Sequence, residues 1–206
     1  MLTAFTAGLL LITVSELGDK TFFIAVILAM RHSRRLVFLG VTAALAAMTI
    51  LSVIFGQLVS FLPKVYIHYA EIVLFIAFGI KLLYDASKMS PRACDTEVVD
   101  EAKAAVEAAD SHLPKRKNSW TIFIEAFVLT FMAEWGDRTQ IATIALAAGN
   151  NPVGVTIGAI FGHMICAAIA VIGGKMIAGR ISERQLTFIG GCLFLIFGIF
   201  AAIAGA

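Results

Sequence analysis

The chain is 206 residues long, 60% hydrophobic, and carries a formal net charge of only +2. With a mean hydropathy of +0.92, it falls outside the soluble globular class and reads as an all-α integral membrane protein. Three cysteines, Cys94, Cys166 and Cys192, show neither CxxC nor Cys/His spacing, which excludes a disulfide framework and a zinc site.

In chain order, six apolar segments come close to or exceed the roughly 20 residues that span a membrane as a helix. They run from about Thr3–Met30, Leu36–Phe61, Tyr66–Tyr84, Thr121–Ala148, Val153–Ala178 and Leu186–Ile203. The first begins without a basic n-region, so no cleaved signal peptide is expected. In its middle it carries Glu16-Leu17-Gly18-Asp19-Lys20-Thr21. The fourth carries the same pattern as Glu134-Trp135-Gly136-Asp137-Arg138-Thr139. All four prolines (Pro63, Pro91, Pro114 and Pro152) fall between segments, where helices end or begin.

The two motif copies lie 118 residues apart, and the likeness extends beyond them. Gly40-Val41-Thr42 answers Gly154-Val155-Thr156, and Phe78-Gly79-Ile80 answers Phe197-Gly198-Ile199. Three spans per half is an odd number, so the halves are expected to enter the membrane in opposite senses. That is the inverted-repeat pattern of secondary transporters, whose sites lie where the repeats meet. The expected organisation is a first three-helix repeat over 1–85, a linker over 86–119 and a second repeat over 120–206, forming one transport unit.

Charge sets the expected orientation. One side receives Arg31, Arg34 and Arg35, the linker bases from Lys88 to Lys117, and Arg180 and Arg184; the other receives Lys64. By the positive-inside rule the crowded side, with the linker, is cytoplasmic and both termini are not. The middle of the linker holds six acids between Asp95 and Asp110 against Lys103 alone. Its alanines predict a short helix, which reads as a solvated tether in preference to a regulatory or cation-collecting element, with Lys115-Arg116-Lys117 at the membrane face.

Each ionised group at a bilayer centre costs roughly 2.5–3.5 kcal/mol, and such groups mark ion or proton paths. On a regular helix, residues three apart share nearly one face. Glu16 with Asp19 and Glu134 with Asp137 then form two carboxylate pairs that converge if the repeats face each other. Hard divalent cations take such oxygen ligands. With Lys20 and Arg138 the six groups sum to −2, which one divalent ion neutralises. Crowded carboxylates away from water favour proton uptake when no metal is bound, and an arriving dication drives the protons off. That is the elementary step of cation/proton exchange.

Several positions carry two readings. Gly18 and Gly136 either admit a neighbouring helix or let the backbone unwind. Thr21 and Thr139 either add hydroxyl ligands or bond back to their own helix, and Ser15 and Gln140 are weaker candidates of the same kind. Glu71 and Glu125 read as boundary residues reaching for water, ahead of a role as vestibule acids. His163, in a stretch of small residues, reads as a packing histidine or a proton relay. A purely structural alternative pairs Glu16 with Lys20 and Glu134 with Arg138, but leaves both aspartates unexplained.

The doubled Glu-x-Gly-Asp-(Lys/Arg)-Thr resembles the signature of a family of manganese/calcium–proton antiporters found in the Golgi, chloroplast membranes, cyanobacteria and other bacteria. Ser15 to Phe22 and Ala133 to Gln140 look most like the cyanobacterial manganese exporters. The resemblance implies export of Mn2+, with Ca2+ as the alternative ion, from the cytoplasm into thylakoid lumen or periplasm against protons. It implies ligands Glu16, Asp19, Glu134 and Asp137, with Thr21 and Thr139 beside them; Lys20 and Arg138 match the motif's basic position and read as charge-compensating or gating residues. It implies residence in a bacterial plasma membrane or a thylakoid, no catalytic residues and no cofactor. The partners are then lipid, divalent cations and protons, with no nucleic acid; a homo-oligomer is compatible with the sequence. A passive divalent channel is the competing class. A membrane-embedded metal enzyme is disfavoured by the lack of any P-loop or nucleophile motif.

Overall fold

The computed structural model describes residues 1–89, 96–112, 118–177 and 183–204. Among the described residues every regular element is helical: α1 Leu2–Glu16, α2 Lys20–Arg31, α3 Arg34–Val59, α4 Lys64–Lys88, α5 Thr96–His112, α6 Ser119–Ala133, α7 Arg138–Gly149, α8 Pro152–Ile177 and α9 Glu183–Ala204. Three stretches, Arg34–Val59, Lys64–Lys88 and Pro152–Gly173, are long and apolar enough to cross a membrane unaided. Leu2–Glu16, Ser119–Ala133 and Thr187–Ile203 are shorter apolar helices.

The main departure from the sequence reading falls on the first and fourth segments. Thr3–Met30 and Thr121–Ala148 are each two helices, interrupted at the motif. Each half therefore has the same order: a broken helix, then two long ones. Pro63 caps α4 and Pro152 opens α8, where a missing N–H costs nothing. Pro91, Pro114, Cys94 and Lys115-Arg116-Lys117 lie outside the described residues, as does Arg180.

Small residues set the packing. Along α8, Gly154, Gly158 and Gly162 meet in turn Met1 and Ala4, then Phe5 and Leu9, then Leu9 and Ile12, so α8 runs beside α1 in the same direction. Gly40 and Gly56 of α3 meet Phe123 and Ala126, then Ile144 and Ala147, so α3 runs likewise beside α6 and α7. Each half thus lays its first long helix along the broken helix of the other. Helices α4 and α9 pair antiparallel, Gly79 against Gly191 and Leu195, and Gly198 against Phe75 and Ile76. Phe75, Phe78, Phe194 and Phe197 lock that pair through ring contacts of 5.8–6.2 Å.

The end of the bundle that carries the α2–α3 turn and α5 is the linker face; Met1, Pro63 and Asn151 mark the opposite face. Helix α5 is no freely solvated tether. Ala102 and Val106 are fully buried, in one apolar cluster with Ile24, Leu28, Val37 and Ala126. On the outside of α6, Trp120, Phe123, Phe127, Phe131 and Trp135 form a continuous aromatic ladder with both tryptophans exposed, a face suited to lipid contact.

Candidate cation site at the paired helix breaks

Both breaks are built the same way. Glu16 closes α1, Leu17 is extended, and Gly18 adopts φ +83°. Glu134 ends α6, and Gly136 also sits at φ +83°. A side chain in that left-handed region costs roughly 1–2 kcal/mol, which is why glycine stands there. Asp19 and Asp137, both extended, then occupy the N-cap positions of α2 and α7. The Asp137 carboxylate accepts from Thr139 N–H at 3.4 Å, as a capping residue does. Of the two readings for the glycines, unwinding is the one observed. The shared-face geometry expected of a regular helix is replaced: Glu16 and Asp19 belong to different helices, as do Glu134 and Asp137.

The breaks meet in the middle of the bundle. Glu16, Glu134 and Asp137 each offer a carboxylate oxygen, and these oxygens lie within 4.8 Å of one another. Both glutamates are only 2% exposed. Thr21 Oγ1 donates to Glu16 Oε2 at 3.3 Å, and Thr139 Oγ1 to Glu134 Oε2 at 3.4 Å and Asp137 Oδ2 at 3.2 Å. The other oxygen of each glutamate, Oε1, is buried without a protein donor. Buried carboxylate oxygens are rarely left so.

Asp19 stands beside this trio and faces an adjoining cleft. The cleft is lined by Ser15, Asp19, Asp137, Arg138 and Thr139, with Leu82 of α4 and Thr187 and Phe194 of α9. Because Leu82 and Thr187 lie toward the linker ends of their helices, the cleft sits on the linker side of the breaks. Arg138 reaches both aspartates, Nη2 at 4.0 Å from Asp19 and Nε at 3.9 Å from Asp137. Lys20 turns away and pairs with Glu101 of α5 at 3.2 Å. Among the described residues the purely structural pairings, Glu16 with Lys20 and Glu134 with Arg138, do not form.

The weaker candidates lie as follows. Gln140 braces the second break, its Oε1 accepting from Gly136 N–H at 2.7 Å and its Nε2 meeting Met48 Sδ at 3.1 Å. Ser15 Oγ is buried by the cleft without a protein partner. Glu71 and Glu125 do not reach for water: both are buried. Asn150 Nδ2 donates to Glu71 at 3.4 Å at the end of α7, and His32 Nε2 lies 3.8 Å from Glu125. His163 is buried in α8 with Nδ1 lacking a hydrogen-bond partner. Sequence reasoning did not find Glu101 or the cleft wall of Leu82, Thr187 and Phe194. A signal for α5 was present, since Val98, Val99, Ala102 and Val106 recur at helical spacing on one face.

Carboxylates gathered at two helix interruptions inside an apolar bundle define a membrane protein that handles cations. The family model described as "Divalent cation/proton antiporter GDT1" matches residues 4–90 and 122–206. The chain belongs to that family, whose members are transporters and not enzymes. It is 61% identical over 199 residues to GDT1-like protein sll0615 of Synechocystis, covering 97% of this chain and 96% of that one. It is 44% identical to GDT1-like protein 3 of Oryza sativa subsp. indica, over 95% of this chain and 72% of that one. It is 40% identical to the protein PAM71-homolog, chloroplastic, of Arabidopsis thaliana, over 95% of this chain and 58% of that one. No solved structure matches.

Proposed function

We propose that this protein exports Mn2+, with Ca2+ as the alternative ion, from the cytoplasm in exchange for protons by alternating access. The observation that carries the reading is the approach of Glu16, Glu134 and Asp137 to within 4.8 Å, with two buried glutamate oxygens lacking donors. Glu16, Glu134, Asp137 and Asp19 bind the ion, and Thr21 and Thr139 hold the glutamates in place. With the dication absent, protons neutralise the trio, and the two occupants exclude each other because both satisfy the same oxygens. Arg138 supplies positive charge to the aspartates while the site is free of metal.

The same reading makes 1–85 and 120–206 inverted three-span repeats joined by the linker over 86–119. It is supported by the matched breaks and by the parallel runs of α8 with α1 and of α3 with α6 and α7. The linker face is then cytoplasmic, both termini lie in the periplasm or thylakoid lumen, and the cleft is open to the cytoplasm. A cleft on one side of the breaks favours alternating access over a passive channel.

Ion flux in proteoliposomes under an imposed pH gradient tests the reading, with Mn2+, Ca2+ and Mg2+ compared. The expected result is saturable Mn2+ movement that carries protons the other way and collapses when the gradient is removed. Non-saturating flux indifferent to the pH gradient would place the protein among channels. Orientation is checked separately: a cysteine added at either terminus should react with impermeant reagents applied from outside intact cells.

A further inference from the structure

The α4–α9 pair packs on α7 and α1, and among the described residues it makes no comparable packing on α2 or α6. On α7 the covered face carries Ala142 and Leu146, which share a cluster with Phe75 and Phe194, and ends at Gly149 and Asn150 against Glu71. The positions 118 residues earlier, on α2, are Ile24, Leu28, Arg31 and His32. Ile24 and Leu28 are just as buried, but they cluster with Ala102 and Val106 of α5. Arg31 Nη2 lies 3.7 Å from Glu107, and Lys20 Nζ 3.2 Å from Glu101.

Resting on the alternating-access reading above, we propose that α5 is a wedge. It occupies the face of α2 and α6 on which the α4–α9 pair docks when the linker-side cleft closes, and so holds the cleft open. Exchange of the two repeats' roles requires α4–α9 to leave α7 and α1 for the equivalent surface of α2 and α6. That surface is apolar and already covered, so closure requires α5 to withdraw. The two ion pairs, both partly exposed, fasten α5 by contacts that can be released without stranding a buried charge.

The test uses the full chain in proteoliposomes with the native cysteines replaced and Thr187→Cys placed in the cleft. Its rate of modification by a bulky hydrophilic maleimide reports how often the cleft is open. Glu101→Gln with Glu107→Gln, and separately Val106→Asp, should each slow labelling roughly three- to tenfold as the population moves to the closed state. Unchanged or faster labelling in both would overturn the wedge. In a second arm, Arg31→Cys and Glu107→Cys are joined by a reducible bifunctional thiol reagent. Flux should stop on cross-linking and return on reduction; flux that persists with the cross-link complete also overturns the proposal. Failure of the wedge leaves proton-coupled flux in the parent protein intact. Failure of the exchange reading removes that coupling before any α5 variant is made.

Discussion

The two motif copies share their backbone and part company at their basic residue. Both break at a glycine with φ +83°, both bury the glutamate, and both place aspartate at the N-cap position of the following helix. Yet Arg138 stays at the site between Asp19 and Asp137, whereas Lys20 leaves it for Glu101. The surroundings diverge in the same way, α7 being covered by α4 and α2 by α5. The repeat therefore specifies the carboxylate site, and what is not repeated, the linker helix, distinguishes its two sides. A guanidinium suits the shared position because its planar fork can address two carboxylates at once, while an ammonium is a single flexible point charge.

The largest effect should come from the part that the copies share. Asp19→Asn and Asp137→Asn are expected to reduce Mn2+ flux to background while the protein still purifies and unfolds cooperatively. Losing one charged ligand removes roughly 1.5–3 kcal/mol, or about 10- to 100-fold in ion affinity. Asp137 lies within the 4.8 Å trio and Asp19 beside it, so Asp137→Asn should weaken equilibrium Mn2+ binding to the purified protein further. Wild-type flux in either variant would remove that residue from the site.

A smaller effect should separate the two bases. Arg138→Gln takes charge away from both aspartates and should change proton-coupled flux by about tenfold, with Arg138→Lys recovering little of it. Lys20→Gln should act less, and through α5. Combined with Glu101→Gln it should be no worse than either change alone, as expected of a contacting pair. Full additivity would show that Lys20 works at the site after all and would erase the contrast between the copies.

Much of this was legible in the sequence for physical reasons. Apolar length located the helical segments, Pro63 and Pro152 marked the starts of two helices, and the cost of buried charge singled out Glu16, Asp19, Glu134 and Asp137. The breaks were legible only as one of two readings, because flanking hydrophobicity runs straight through them and a glycine within a span serves close packing as readily as a left-handed turn. Gly158 illustrates the other use: a Cβ there would collide with the Phe5 backbone. Helix α5 was misread because its many acids outweighed four small apolar residues, although burial depends on their spacing and not on average composition. The buried states of Glu71 and Glu125 depend on partners, Asn150 and His32, that only the tertiary fold brings near.

The smallest expected effect tests whether the copies are twins in backbone as well as in sequence. A Cβ built at Gly136 meets nothing within 4 Å, so Gly136→Ala is opposed by its dihedral alone. The cost should be about 1–2 kcal/mol in thermal unfolding, with Gly136→Asn milder because asparagine tolerates the left-handed region better than alanine. Gly18→Ala should carry the same conformational penalty, since its φ is the same. If Gly136→Ala were as stable as the parent, the break would not be held at positive φ. If alanine were tolerated at one glycine and not the other, the interruptions would differ in construction, and the inverted-repeat reading would lose its most local support.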